Sequence, residues 1–180
     1  MPPITAHQPP HQGLLERYLP AIGAFVAILL TGLVTRALVG PEAAPLLVAS
    51  MGASAVLMFC VPQSPLAQTW PFIGGHFFSV LVGIIAAMTV PDLALASALA
   101  VGGAIAAMIL FKCVHPPGGA AALTAVVGGP AVTDQGYWFL LVPVALNVAL
   151  MLLVVQLIRI VFKRMAQNPA QATDDTTPPS

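Results

Sequence analysis

Two short stretches of this sequence combine small residues with hydroxyl or imidazole side chains. The first is Ser-Met-Gly-Ala-Ser at residues 50–54, and the second is His-Pro-Pro-Gly-Gly-Ala at residues 115–120. Two consecutive prolines remove backbone donors and push the preceding residue towards extended geometry, so a helix is expected to restart at about Gly118. The first N–H groups of a helix are unpaired and lie at the positive end of its dipole. Both stretches therefore predict binding of a small anion by backbone donors.

The predicted substrate-binding residues are of two kinds. Some lie in the two stretches and carry little bulk, and others are polar residues inside apolar segments, which are site hypotheses by default. For a polar residue of the second kind, a hydrogen bond to a neighbouring helix is the alternative, and for His115 the alternative is that it only caps a neighbouring helix. The full set is Ser50, Gly52, Ala53, Ser54, His76, His115, Gly118, Gly119, Ala120 and Asn147.

Metal, cofactor and enzymatic chemistry find no support in the sequence. Glu42, Asp92 and Asp134 all lie in connections between apolar segments, which argues against an oxygen-rich cation site. Cys60 and Cys113 are far apart and have no cluster of ligand residues beside them. The chain has no HExxH, no GxSxG and no paired carboxylates. We therefore expect no catalytic residue, no metal and no cofactor.

The composition predicts an integral membrane protein. Hydrophobic residues make up 58% of the chain and charged residues 7%, and the mean hydropathy is +0.94. A soluble domain contains about 25% charged residues. The net charge of zero and the lack of a basic patch argue against nucleic acid. The expected partners are the lipid bilayer and a small inorganic anion, and a homo-oligomer is left open.

Six apolar segments lie between two tails, residues 1–18 and 165–180, that are predicted to be disordered. The first, third, fourth and sixth are long enough to span a bilayer, whereas the second and fifth are interrupted or short. Small residues recur every four positions in several segments, as in Gly75, Ser79 and Gly83, and predict close helix packing. The segments are Pro20–Val39, Pro45–Val61, Pro71–Val90, Leu93–Phe111, Gly118–Val127 and Tyr137–Ile158.

The segments suggest two repeats, residues 19–90 and 91–164, each consisting of a helix, a broken half-helix and a helix. "GASAVLMFCVP" in the first repeat resembles "GAAALTAVVGGP" in the second. Three crossings in each repeat make the repeats inverted, so that the N-termini of the two half-helices face one another near the midplane. The predicted fold is thus an all-α membrane bundle with four long helices and two discontinuous ones.

The number of crossings is open between six and four, because the broken segments are re-entrant in the rival arrangement. Arg159, Lys163 and Arg164 place the C-terminus in the cytoplasm, and both arrangements place the N-terminus there too. Six crossings put Lys112 on the cytoplasmic side, and four put it outside. The sequence favours six crossings in a bacterial cytoplasmic membrane.

The motifs and their order resemble the HPP family of integral membrane proteins, which is named for the His-Pro-Pro found here at residues 115–117. Gly-Ala-Ser-Ala at 52–55, Ser-Pro-Leu-Ala-Gln at 64–68 and Gly-Gly-His at 74–76 follow the family's order, and the resemblance covers about residues 15–160. It implies four or more membrane helices. It also implies nitrite as substrate, because plant and cyanobacterial members have been linked to nitrite transport.

These observations predict a transporter or channel for a small monovalent anion, with nitrite as the substrate that the resemblance implies. A structural or assembly subunit without transport activity is the alternative, and a membrane enzyme is the class least supported. The driving force is open: His76 or His115 could carry a proton, and passive flux is equally compatible with the sequence.

Overall fold

The computed structural model describes residues 14–167, and every regular element within them is helical. Most of the two predicted tails lies outside these residues, but residues 14–18 begin the first helix and residues 165–167 end the last. A 3₁₀ turn, Pro65–Ala67, precedes α2, and a π-helical turn, Leu140–Val144, precedes α6. The helices are α1 (Leu14–Cys60), α2 (Thr69–Thr89), α3 (Leu93–Leu110), α4 (Pro117–Val127), α5 (Pro130–Thr133) and α6 (Ala145–Gln167).

Helix α1 consists of two arms that meet at Gly40. This glycine has φ +80° and ψ 171°, a conformation that L side chains rarely adopt. Pro41 follows it and starts the second arm without needing a backbone donor. We call residues 14–39 the N-terminal arm and residues 41–60 the C-terminal arm.

The predicted helix break at residues 50–54 is not present, because this stretch lies in the middle of the C-terminal arm. A helix accommodates both serines, because each hydroxyl has a backbone carbonyl of the preceding turn within hydrogen-bond distance. Ser50 Oγ donates to the Leu47 carbonyl at 2.9 Å, and Ser54 Oγ lies 3.0 Å from the Ser50 carbonyl. The prediction of free backbone donors at Ser50, Gly52, Ala53 and Ser54 is therefore wrong.

Four described helices are long and apolar enough to cross a membrane, and two further apolar helices are shorter. This confirms the four long membrane-spanning helices expected from the sequence. The long ones are Arg17–Pro41, Thr69–Thr89, Leu93–Leu110 and Leu140–Arg164, and the short ones are Leu46–Cys60 and Pro117–Val127.

Small residues allow α2 and α4 to lie side by side and run in the same direction. A Cβ added to Gly118, in the first turn of α4, would lie 2.7 Å from Ser79 Oγ of α2. Further along both helices, a Cβ added to Gly83 would lie 2.9 Å from the Ala125 Cβ. The close packing predicted for Ser79 and Gly83 is confirmed.

The C-terminal arm of α1 runs antiparallel to α4. Ser54 near its end contacts His115 just before α4, and Leu46 near its start accepts a hydrogen bond of 3.2 Å from Thr124 Oγ1 near the end of α4. The N-termini of the two short helices therefore lie at opposite ends of the pair. The prediction that they face one another is wrong, because the two helices lie side by side instead of end to end.

The N-terminal arm, α3 and α6 also fit a bundle in which each apolar helix runs opposite to the one before it in the chain. We call the end of the bundle where α2 starts the Trp70 end; there Trp70 Nε1 donates to the Phe111 carbonyl after α3. The start of the N-terminal arm lies at this end too, since a Cβ on Gly23 would be 2.7 Å from Phe59 Cε1 and 2.9 Å from Ile158 Cγ1 of α6. Lys112, which follows Phe111, thus lies at the same end as the first described residues and the later part of α6.

Candidate functional site

Four fully buried polar side chains meet between the C-terminal arm, α2 and the start of α4. Ser54, His76, Ser79 and His115 each have 0% relative exposure. The two imidazole centroids are 5.1 Å apart, and Ser54 Oγ lies 2.9 Å from His115 Nε2. Ser79 lies one turn after His76 on α2. We call these residues the polar cluster; it brings together three of the predicted site residues.

Both ring nitrogens of His115 are engaged. Nδ1 lies 2.9 Å from the Leu66 carbonyl in the 3₁₀ turn, and since a carbonyl only accepts, Nδ1 is the donor. In the neutral ring Nε2 then accepts from the hydroxyl of Ser54. Burial lowers the pKa of this imidazole below its ordinary value of 6.5, and the bond to Leu66 opposes that shift. His115 therefore ties the loop before α4 to the C-terminal arm and to the 3₁₀ turn.

The Gly-Gly-His motif of α2 lets the loop before α4 lie directly on the helix. A Cβ on Gly74 would be 2.9 Å from the Cys113 Cβ, and a Cβ on Gly75 would be 2.5 Å from the His115 Cβ. Lys112 enters the loop with φ +53°, in the left-handed region. Only glycine at both α2 positions leaves the space in which His115 reaches the cluster.

His76 differs from His115 because one of its nitrogens is open. Its Nδ1 donates to the Phe72 carbonyl at 2.9 Å, so in the neutral ring Nε2 carries a lone pair. Neither His76 Nε2 nor Ser79 Oγ has a hydrogen-bond partner among residues 14–167. An unpaired buried polar atom costs about 1–3 kcal/mol. The two polar atoms of the cluster that lack a hydrogen-bond partner thus both belong to α2.

The N–H groups at the start of α4 are not free, contrary to the sequence prediction. Gly118 N–H donates to the His115 carbonyl at 2.9 Å, and Gly119 N–H donates to the Pro116 carbonyl at 3.1 Å. The reason is that Pro116 adopts helical angles, φ −53° and ψ −38°, so the first turn closes on His115. Gly118 is buried against α2, while Ala120 is exposed. These two N–H groups are therefore not the free donors that the sequence predicts.

The other predicted site residues have separate surroundings. Asn147 Nδ2 donates to Thr35 Oγ1 at 2.5 Å, which is the interhelical hydrogen bond given above as its alternative role. Its Oδ1 has no partner in the described part of the chain. Gly52 is half-buried and Ala53 exposed, and no atom lies within 4 Å of a Cβ built on Gly52.

Two members of the site were missed as functional positions. Ser79 was predicted only as a packing residue, although a serine three positions after an intramembrane histidine shares its helix face. The carbonyl of Leu66 gives no side-chain signal in a sequence. No third His, Cys, Asp or Glu joins the two imidazoles in a set that could hold a metal ion, as far as residues 14–167 are concerned.

Comparisons with known proteins agree with a membrane assignment. A family model described as "HPP, transmembrane region" matches residues 9–168. Two transmembrane proteins of Dictyostelium discoideum are similar to this chain. One is 36% identical over 150 residues, which cover 81% of this chain and 52% of the relative. The other is 38% identical over 136 residues, which cover 73% and 43%. The chain spans about half the length of these relatives. No solved structure matches.

Proposed function

Because the chain belongs to the HPP family of transmembrane proteins, we propose that it moves a small monovalent anion across a membrane through the polar cluster. Nitrite is the substrate that the family resemblance implies. The observation that carries the proposal is the pair of unpartnered buried atoms, His76 Nε2 and Ser79 Oγ. Both lie on α2 within a bundle whose helices are otherwise almost entirely apolar.

The chemistry of these two atoms suits a small oxyanion. In hydrocarbon an unpaired polar group has no water to bond, so leaving two such atoms side by side on α2 is costly unless a ligand bonds them. The hydroxyl of Ser79 donates to an anion oxygen, and a protonated His76 donates from Nε2. No carboxylate lies within the four long apolar helices, so nothing there favours a cation.

The packing around the cluster favours a small substrate and a pathway that opens only transiently. All four side chains are closed to solvent, and Gly118 of α4 lies against Ser79. Passage therefore requires α4 or the loop before it to move relative to α2. The hydrogen bonds of His115 to Ser54 and Leu66 hold that loop in place.

We propose six membrane crossings with both termini in the cytoplasm of a bacterial cell. The alternating directions of the helices support this number, since each of the six apolar helices runs opposite to the one before it. Lys112, Arg159, Lys163 and Arg164 then share one side, as the positive-inside rule expects. The two inverted repeats remain part of this proposal.

Flux into proteoliposomes tests the proposed function. The purified protein is reconstituted, and uptake is compared for nitrite, nitrate, chloride and sodium, with protein-free liposomes as the background. Ser79→Ala removes the open hydroxyl and should lower nitrite influx at least tenfold. Thr31→Val is the matched control, because this buried hydroxyl is already bonded to the Ala27 carbonyl of its own helix. Equal influx in both variants would remove Ser79 from the pathway, and no influx above background in wild type would refute transport.

A structural or assembly subunit is the second candidate, and one feature favours it. An apolar groove of about 700 Å³ runs between the two arms of α1. Small residues such as Ala21, Gly32, Gly52 and Ala55 line it, as in contacts between membrane helices. Arg36 is the charged residue in its lining. This candidate predicts a bound partner helix and no flux, and we propose no enzymatic role under either.

A further inference from the structure

We propose that the polar cluster moves each anion together with one proton, which is carried on Nε2 of His76. This inference rests on the proposed anion transport and adds that the transport is coupled to a proton. The bond from His76 Nδ1 to the Phe72 carbonyl fixes which nitrogen is open. In the neutral ring that nitrogen presents a lone pair, and a lone pair repels an anion. His76 becomes an anion donor only when Nε2 takes up a proton.

Among the side chains that the structure describes around His76, none supplies another charge to balance an anion. Neither α3 nor α4 carries an ionisable side chain, and neither do residues 140–158 of the π-helical turn and α6. The C-terminal arm contributes Ser54 to the cluster. The titratable groups near His76 are His115, at 5.1 Å between ring centroids, and Cys113, which packs on Gly74. A lone anion or a lone proton would thus be an uncompensated buried charge, whereas the pair is neutral.

The second imidazole acts as a positioning residue and not as the carrier. Both of its nitrogens are held, by Leu66 and by Ser54, so neither faces an incoming anion. The hydroxyl of Ser54 has two acceptors in reach, His115 Nε2 at 2.9 Å and the Ser50 carbonyl at 3.0 Å. Two adjacent imidazolium ions repel each other, so the pair carries one proton at a time, and the geometry assigns it to His76 because its Nε2 has no partner.

The consequence is electroneutral transport, in which His76 Nε2 binds a proton and an anion on one side and releases both on the other. No net charge moves, so a membrane potential does not drive the flux. A pH gradient does drive it, because each anion enters with one proton. The flux of a transporter that carries the anion without a proton is driven by the membrane potential and not by a pH gradient.

The experiment measures nitrite and protons together in wild-type proteoliposomes. Nitrite uptake is assayed chemically, lumenal pH is followed with a trapped dye, and a potassium gradient with valinomycin sets the potential. Protein-free liposomes correct for the diffusion of undissociated acid. We expect one proton per nitrite and less than about a twofold change in initial influx at 120 mV. Accumulation of nitrite by about 100-fold at that potential, which is tenfold per 59 mV for one charge, would overturn proton coupling and leave anion transport standing. No influx above background would refute transport itself.

Two variants assign the proton to one imidazole. His76→Gln keeps an amide donor but does not titrate, so its residual influx should become dependent on potential and lose the lumenal acidification. His115→Gln should lower the rate and keep one proton per nitrite. The opposite pattern would move the proton to His115. The wild-type stoichiometry decides the coupling even where a variant does not insert.

Discussion

The two adjacent glycines at the start of α4 should respond oppositely to the same substitution. A Cβ at position 118 would lie 2.7 Å from Ser79 Oγ and 2.8 Å from the Gly75 carbonyl oxygen. Carbon contacts are favourable from about 3.5 Å, so Gly118→Ala requires α4 to move away from α2 by roughly 0.7 Å. A Cβ at position 119 meets nothing within 4 Å. Gly119→Ala is therefore the matched control.

The expected changes in the free energy of unfolding have opposite signs in Gly118→Ala and Gly119→Ala. Overpacking a tight contact destabilises a protein by about 1–3 kcal/mol. Alanine in place of glycine within a helix stabilises it by roughly 0.5–1 kcal/mol when the space is open. Gly118→Ala should therefore be less stable than Gly119→Ala by about 2 kcal/mol or more. For a chain of this length that corresponds to roughly 4–8 °C in the midpoint of thermal unfolding.

Thermal unfolding of the two purified variants in the same detergent measures this difference. Nitrite influx should fall in Gly118→Ala, because the displaced α4 alters the surroundings of Ser79, and should be unchanged in Gly119→Ala. Midpoints within 1 °C of each other would refute the close α2–α4 contact at position 118. A loss of flux confined to Gly119→Ala would support backbone anion binding at that residue instead.

Two further predictions concern the loop before α4 and the topology. Gly75→Ala places a Cβ 2.5 Å from the Cβ of His115, so it should lower the midpoint of thermal unfolding by several degrees. Gly102→Ala is the control, because a Cβ there meets nothing within 4 Å, and it should not lower the midpoint. Equal midpoints in the two variants would contradict the packing of the loop on α2. Cys60 is exposed at the end of the C-terminal arm. In a Cys113→Ala background, an impermeant maleimide should label it from the cytoplasmic face, and labelling from outside would contradict six crossings.

The sequence predicts the helices better than their contacts. Glycine and proline mark the joint at Gly40 and the ends of most segments, because their backbone restrictions act locally. The interruption expected at residues 50–54 is absent: the stretch is helical, and the Ser50 hydroxyl donates to the Leu47 carbonyl of the same helix. Pro116 was read as a helix breaker, yet with helical angles it sits at the N-cap and starts one.

The polar cluster depends on a register that local signals do not encode. The antiparallel alignment of the C-terminal arm and α4 brings Ser54 to His115 and the Leu46 carbonyl to Thr124. The pairing of Asn147 with Thr35 joins positions 112 residues apart in the chain. Such contacts follow from the assembled bundle, so a sequence pattern identifies the polar residues without identifying their partners.

The hydrogen bonds of His115 also constrain the order in which the protein is built. They join this residue to Ser54 and Leu66, which lie 61 and 49 positions earlier. The first half of the chain is synthesised before His115. Until then it lacks the bonds that later fix the 3₁₀ turn and the C-terminal arm. The polar cluster is therefore completed only after Ser54, Leu66 and His115 have all been synthesised.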